Sequence, residues 1–199
     1  MQAIIDACQS GTLDIDIKAI ISNRPNAAGL DRATQSGIPA ISIDHKQYAN
    51  RESFDQELIN VIDQYEPALV ILAGFMRILS DEFVNHYQGR LLNIHPSLLP
   101  KYPGLNTHQR ALEHHDEFHG ASIHFVTTEL DGGPVVIQVK IPIKGNDDPS
   151  SLAERLLKQE HHLYCTAIQW FAEKRLVMND KQVLLDGKIL KQPIMTTPL

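Results

Sequence analysis

Cysteine is scarce in this chain: only Cys8 and Cys165 occur, far apart in 199 residues. Secreted folds of this size that lean on disulfides carry more paired thiols, so no disulfide framework is expected. Long apolar runs are missing as well. The longest, around Ala68 to Ala73, falls far short of the roughly 20 residues that span a bilayer. No basic-then-apolar stretch opens the sequence as a secretory leader would. Positive charge is in deficit too, with 18 Lys and Arg against 24 Asp and Glu and a net charge of -6. That balance argues against a nucleic-acid partner, whose footprint is a basic stripe. The expectation is a cytoplasmic chain with neither a membrane nor a nucleic acid as partner.

What is present is an ordinary globular composition, 43% hydrophobic and 21% charged, enough for one sizeable core. Short β-branched runs at Ile15 to Ser22, Ala40 to Ile43, Leu69 to Ala73 and Leu91 to Ile94 suit buried strands. Helical patterns at Ala27 to Ser36, Ser53 to Tyr65 and Asp81 to Tyr87 lie between them. This rhythm predicts a doubly wound, mostly parallel α/β sheet. Two later runs, Ser122 to Thr127 and Pro134 to Ile141, predict a hairpin-like pair that makes the sheet mixed. A long helix is predicted from Pro149 to Ala172, and Asp186-Gly187 signals a small hairpin in the tail. At the front, Gln2 to Gln9 reads as a helix closed by Gly11, with no strand before it. With no repeat, linker or low-complexity segment, residues 1–199 read as a single domain.

Chemistry-bearing residues concentrate between Leu91 and Gly104, where a buried run breaks into a loop rich in proline. Asn93 and His95 are two apart, so their side chains leave the strand on one face. Asn offers a neutral NH2 donor, and His a donor or a proton near neutral pH. Such a pair can hold the oxyanion of an acyl-transfer intermediate. The competing reading is an Asn in a turn beside a core His. Asp131, in Glu-Leu-Asp-Gly-Gly, is either an ordinary Asp-Gly turn or a carboxylate that supports His95. Spacing alone leaves that open.

A metal reading rests on His114, His115, His119 and His124. It lacks the His-Glu-x-x-His pattern, and His114 to His119 reads as an exposed loop among acidic residues, so no metal is expected. Ser97 lacks a nucleophile elbow, and Cys165 reads as a helix core residue.

The segment Asn93 to Pro100 (Asn-Ile-His-Pro-Ser-Leu-Leu-Pro), followed by Leu130 to Pro134 (Leu-Asp-Gly-Gly-Pro), resembles the signature of formyltransferases that use 10-formyltetrahydrofolate. Lys101 to Leu112 narrows the resemblance to the phosphoribosylglycinamide branch. Leu72 to Leu79, Ala121 to Val126 and Gln159 to His161 extend it over nearly the whole chain. The resemblance implies a formyltransferase fold and formyl transfer from 10-formyltetrahydrofolate to the amine of glycinamide ribonucleotide in purine synthesis. It implies Asn93, His95 and Asp131 as the catalytic trio. Arg51, Met76, Arg77, Ile78, Leu79, Asn93 and the loop Thr127, Thr128, Glu129, Leu130 and Asp131 match the folate side. Glu160 matches the acidic residue near the glycinamide amine.

Two departures are visible. The family's first strand and Gly-rich phosphate loop would precede Gln2, so the sheet is expected to lack its usual first strand. The alternative function is then a non-catalytic or weakly active folate-binding remnant. Leu157 stands where the family often carries Gln. Related enzymes acting on methionyl-tRNA, or deformylating the folate, would need further domains.

Overall fold

The computed structural model describes residues 1–198. Its first half follows the alternating pattern of the sequence. Helix α1 (Gln2–Gln9) leads through an extended stretch to strand β1 (Ile20–Ser22). Helix α2 (Ala28–Gln35) then returns the chain to β2 (Ala40–Ser42), parallel to β1. A 3-10 turn at His45–Gln47 precedes α3 (Arg51–Asp63). That helix begins two residues before the sequence pattern suggests because Asn50 caps it. The Asn50 side chain accepts from the Ser53 amide at 2.8 Å, and the Ser53 side chain closes the reciprocal capping box. Strand β3 (Val70–Leu72), helix α4 (Asp81–His86) and strand β4 (Leu91–His95) complete a second parallel unit, with β3 and β4 paired.

From β4 onward the pairing changes hand. After α5 (Thr107–Glu113), strands β5 (Phe118–Phe125) and β6 (Val135–Pro142) form an antiparallel hairpin, and β5 also runs antiparallel to β4. Helix α6 (Pro149–Ala172) follows, capped by Asp148 and carrying Pro at its first position, where a missing N–H costs nothing. A three-stranded antiparallel sheet, β7 (Leu176–Asn179), β8 (Gln182–Leu185) and β9 (Lys188–Ile189), contains the turn read from Asp186-Gly187. Strand β10 (Ile194–Thr196) ends the described chain, parallel to β6.

The central sheet is therefore mixed, in the order β10-β6-β5-β4-β3. The expected α/β class holds, with six α-helices among the described residues. Parallel pairing is confined to the ends of this sheet, while its middle is antiparallel because β5 and β6 are joined by a short connection. The β1–β2 pair forms a separate ladder. It nevertheless borders the same core, since Ile21 and Ile41 pack with Val70 and Leu72 around Phe54, Phe83 and Leu91.

A larger cluster lies between the central sheet and α6. Leu152, Leu156, Leu163, Ala167 and Ile168 recur at helical spacing and meet Leu92, Ile123, Phe125, Val136 and Ile137. Each large aliphatic side chain buried there contributes about 2 kcal/mol. Tyr164 enters this apolar layer with its hydroxyl 2.8 Å from the Leu72 carbonyl and 2.9 Å from that of Leu92. Its single proton is thus held between β3 and β4, and burial pushes the phenol pKa well up. Cys8 and Cys165 are both free. No helix of the described chain is long and apolar enough to cross a membrane.

Candidate active site

Strand β4 sets the geometry. Its alternation sends Leu92 and Ile94 one way and Asn93 and His95 the other. In the antiparallel register Asn93 lies opposite His124, and His95 opposite Ser122. The Asn93 amide donates to Nε2 of His124 at 3.2 Å. His95 donates through Nε2 to the carbonyl of Tyr102 at 2.8 Å.

That carbonyl is held by a tightly bonded loop. The Leu99 amide donates to Oγ of Ser122 at 3.1 Å, and Ser122 donates to the carbonyl of Ser97 at 2.6 Å. Buried Gln138 donates to the Leu99 carbonyl at 2.9 Å. Farther along, Lys101 pairs with Asp116 at 2.9 Å, and the Tyr102 hydroxyl donates to the same carboxylate at 2.9 Å. The Lys101 ammonium and the Tyr102 hydroxyl hold the Asp116 carboxyl below its usual range, against the opposing effect of desolvation. Ser97 is thereby fully buried in a structural role, as its sequence context implied.

The connection from β5 to β6 doubles back over this face. It can do so because Gly133 admits close backbone contact and Gly132 leaves room for the Glu129 side chain. A Cβ built at Gly133 would lie 1.9 Å from the carbonyl oxygen of Phe125, which no side chain tolerates. Asp131 itself has φ +50, in the left-handed region that Asp tolerates better than most residues. Its Oδ2 accepts from the Gly104 amide at 2.8 Å and lies 3.4 Å from Nδ1 of His95. Its Oδ1 lies 3.7 Å from Nε2 of His124. Asn93, His95 and Asp131, far apart in sequence, are thus brought together, with His124 as a fourth member.

The residues matched to the folate side fall into two groups. Met76 and Ile78 are 72% and 62% exposed, while Leu79 turns inward against the core around Phe54. Arg77 lies over the Phe54 ring at 5.2 Å, and its buried Nε has no protein partner. Arg51, on the first turn of α3, pairs with its neighbour Glu52 at 3.0 Å. The second group is the Thr127 to Leu130 stretch leading into Asp131, where Leu130 stands exposed near Gly104.

Glu160 lies on α6 in a different wall. With Pro96, His108, Ser150, Ala153, Glu154 and Leu157 it lines a cavity of about 350 Å3. Pro96 directly follows His95, so this cavity adjoins the trio. Burial raises the Glu160 carboxyl to about 7. Leu157, one helical turn earlier, leaves about half its surface open.

The histidines considered as metal ligands separate. Among the described residues no three His, Cys, Asp or Glu side chains group as a metal site. His114 ends α5 and donates through Nδ1 to the Arg110 carbonyl at 2.7 Å, while His115 turns through φ +53. His119 corrects its sequence reading: it belongs to β5 and is fully buried, not in an exposed loop. Its Nε2 meets Nδ1 of His108 at 3.0 Å, and desolvation first, then the neighbouring His108, lowers its pKa to about 4. The acidic run before Phe118 disguised the start of the strand. His124 and His108 were also missed as site residues. His124 is the cross-strand partner of Asn93, a relation visible only once the register is known.

Comparison with known proteins agrees with this geometry. The Formyl transferase family matches residues 1–168. The phosphoribosylglycinamide formyltransferase of Escherichia coli is 53% identical over 190 residues, covering 96% of this chain and 90% of that protein. The solved phosphoribosylglycinamide formyltransferase (purN) of Coxiella burnetii, in complex with CHES, superposes with a TM-score of 0.93 at 49% identity. That match covers 98% of this chain and 92% of the other. A formyltetrahydrofolate deformylase of Burkholderia mallei shares the fold at 29% identity and a TM-score of 0.80, with 64% of its own chain covered. The chain belongs to the formyl transferase family.

Proposed function

We propose that residues 1–199 act as one formyltransferase domain, which moves the formyl group of 10-formyltetrahydrofolate to the amine of glycinamide ribonucleotide. The observation that carries the reading is the Asp131 carboxylate 3.4 Å from Nδ1 of His95, with Asn93 on the same strand face. The amine nitrogen attacks the formyl carbon, the carbonyl oxygen gains negative charge, and the bond to the folate nitrogen then breaks as that nitrogen takes a proton. Asn93 has one N–H engaged by His124 and a second N–H left for that oxygen. His95 donates to the Tyr102 carbonyl here, so its Nε2–H reaches the oxygen by exchanging that partner. Asp131 accepts the proton that the amine loses and is held for this by the Gly104 amide.

Around the trio, exposed Met76 and Ile78 offer apolar cover for the flat pterin, and the Thr127 to Asp131 backbone offers donors and acceptors to its edge. Arg51 and Arg77 are the cations on that side. The cavity bearing Glu160 and Leu157 takes the glycinamide end. Two free thiols accord with a cytoplasmic location. Asp131→Asn is the test. Formyl transfer to glycinamide ribonucleotide should fall by at least about 10²-fold while a non-transferable folate analogue binds nearly as well. Near-normal turnover would remove Asp131 from its role. Release of formate without transfer to glycinamide ribonucleotide would point instead to deformylation.

A further inference from the structure

His124 is fully buried on β5, opposite Asn93, at the point where the β5–β6 register slips between Ile123 and His124. Such an irregularity re-aims a side chain. Here it brings Nδ1 to 3.0 Å from the carbonyl of Phe125, the next residue along. A carbonyl can only accept, so Nδ1 must carry the proton. In the neutral ring Nε2 is then a bare lone pair. The group 3.2 Å from it is the Asn93 amide, and only the NH2 end of that amide can donate to a lone pair. Were the ring protonated at Nε2 instead, the amide would turn over and present its oxygen to His124.

We propose that His124 is a positioning residue, whose Nδ1–H tautomer fixes which end of the Asn93 amide faces the ring and so where the remaining N–H of Asn93 points. The inference rests on the reading of Asn93 as a donor to the reacting formyl oxygen. Two charged or titratable groups face the ring, Asp131 at 3.7 Å and His95 across the strand pair. A proton on Nε2 would be drawn to Oδ1 of Asp131. Burial opposes that, because it disfavours the imidazolium and holds the His124 pKa below its ordinary value. The Asp131 carboxylate is meanwhile tethered elsewhere by Gly104, at a distance from Nε2 beyond hydrogen-bonding range. Asn and His are thus ordered in sequence along one chain of contacts: the Phe125 carbonyl sets the ring, the ring sets the amide, and the amide faces the substrate.

The direct test is nitrogen NMR on the intact chain labelled with 15N-histidine, with His124 assigned by loss of its signals in His124→Gln. A protonated Nδ1 and a bare Nε2 at neutral pH are expected; a protonated Nε2 overturns the inference. Kinetics give an independent reading. His124→Leu should lower kcat by about 10²-fold, the cost of one misdirected donor, with KM for both substrates changed less than about threefold. His124→Gln should recover much of kcat, since its side-chain oxygen can accept the same N–H. In an Asn93→Ala background, His124→Leu should cost nothing further. Losses that multiply would show that His124 acts on fold integrity rather than through Asn93, and would overturn the inference. Undiminished turnover in Asn93→Ala alone would instead overturn the functional reading beneath it, and the two failures are therefore distinguishable.

Discussion

Replacing Glu160 by Gln should make the protein more stable above neutral pH while weakening its use of glycinamide ribonucleotide. Burial raises the Glu160 carboxyl from 4.5 to about 7, and no counter-charge contributes to the shift. A group whose folded pKa exceeds its unfolded pKa binds protons more tightly in the native state. Its contribution is therefore fully present below 4.5 and is lost as pH rises through 7. The full move corresponds to about 3 kcal/mol at pH 8 and above. Because the side chain borders an open cavity, water screens part of this, and a cost of about 1–2 kcal/mol is expected. Gln is neutral and nearly the same size, so it removes the cost without opening a hole. Urea unfolding of both proteins from pH 5 to 9 should show curves that coincide near pH 5 and separate through 7, with Gln the more stable. Over the same range KM for glycinamide ribonucleotide should rise severalfold in the variant, with KM for the folate unchanged. A stability difference independent of pH, or a wild type more stable at pH 8, would refute the claim that Glu160 is a strained buried acid.

Other consequences can be checked with single substitutions. Gly133→Ala must displace the backbone near Phe125 and with it Asp131; turnover should fall about 10²-fold, as misplacement of a reacting group by about 1 Å commonly does. Asp55, buried in α3, accepts from the Ser80 amide at 2.6 Å, so Asp55→Ala leaves that N–H unpaired and should cost about 1–3 kcal/mol in thermal unfolding, with Asp55→Asn recovering most of it. His119, held near 4 by burial, resists protonation that the unfolded chain accepts at 6.5, so stability should decline as pH drops from 6.5 towards 4. His119→Gln should flatten that acid limb in calorimetry.

Helix α6 was legible to its boundaries, because Asp148 and Pro149 supply the start signals and the apolar residues from Leu152 to Phe171 keep helical spacing. The strand read at Ile15 to Ser22 is shorter in the structure, starting at Ile20. Asp14 and Asp16 face solvent there while Ile15 and Ile17 turn inward, so the alternation is real but only its last part is paired. Helix α5 was not anticipated, since His, Gln and Arg occupy much of its seven residues and only Thr107 and Ala111 are buried. Asn93 and His95 on one face followed from strand alternation alone. The place of Asp131 did not: it depends on the antiparallel register of β4, β5 and β6 and on Gly133 allowing the chain to fold back. Long-range register leaves little trace in local pattern, and His124 was hidden for the same reason.

The Tyr164 hydroxyl sits one helical turn beyond Glu160 and touches the carbonyls immediately before Ala73 and Asn93. A single phenolic oxygen thus ties α6 at once to the strand carrying Asn93 and His95 and to the strand that leads into the loop bearing Met76 and Ile78. The lateral position of α6 against the sheet is then referred to one fixed atom rather than accumulated along the chain.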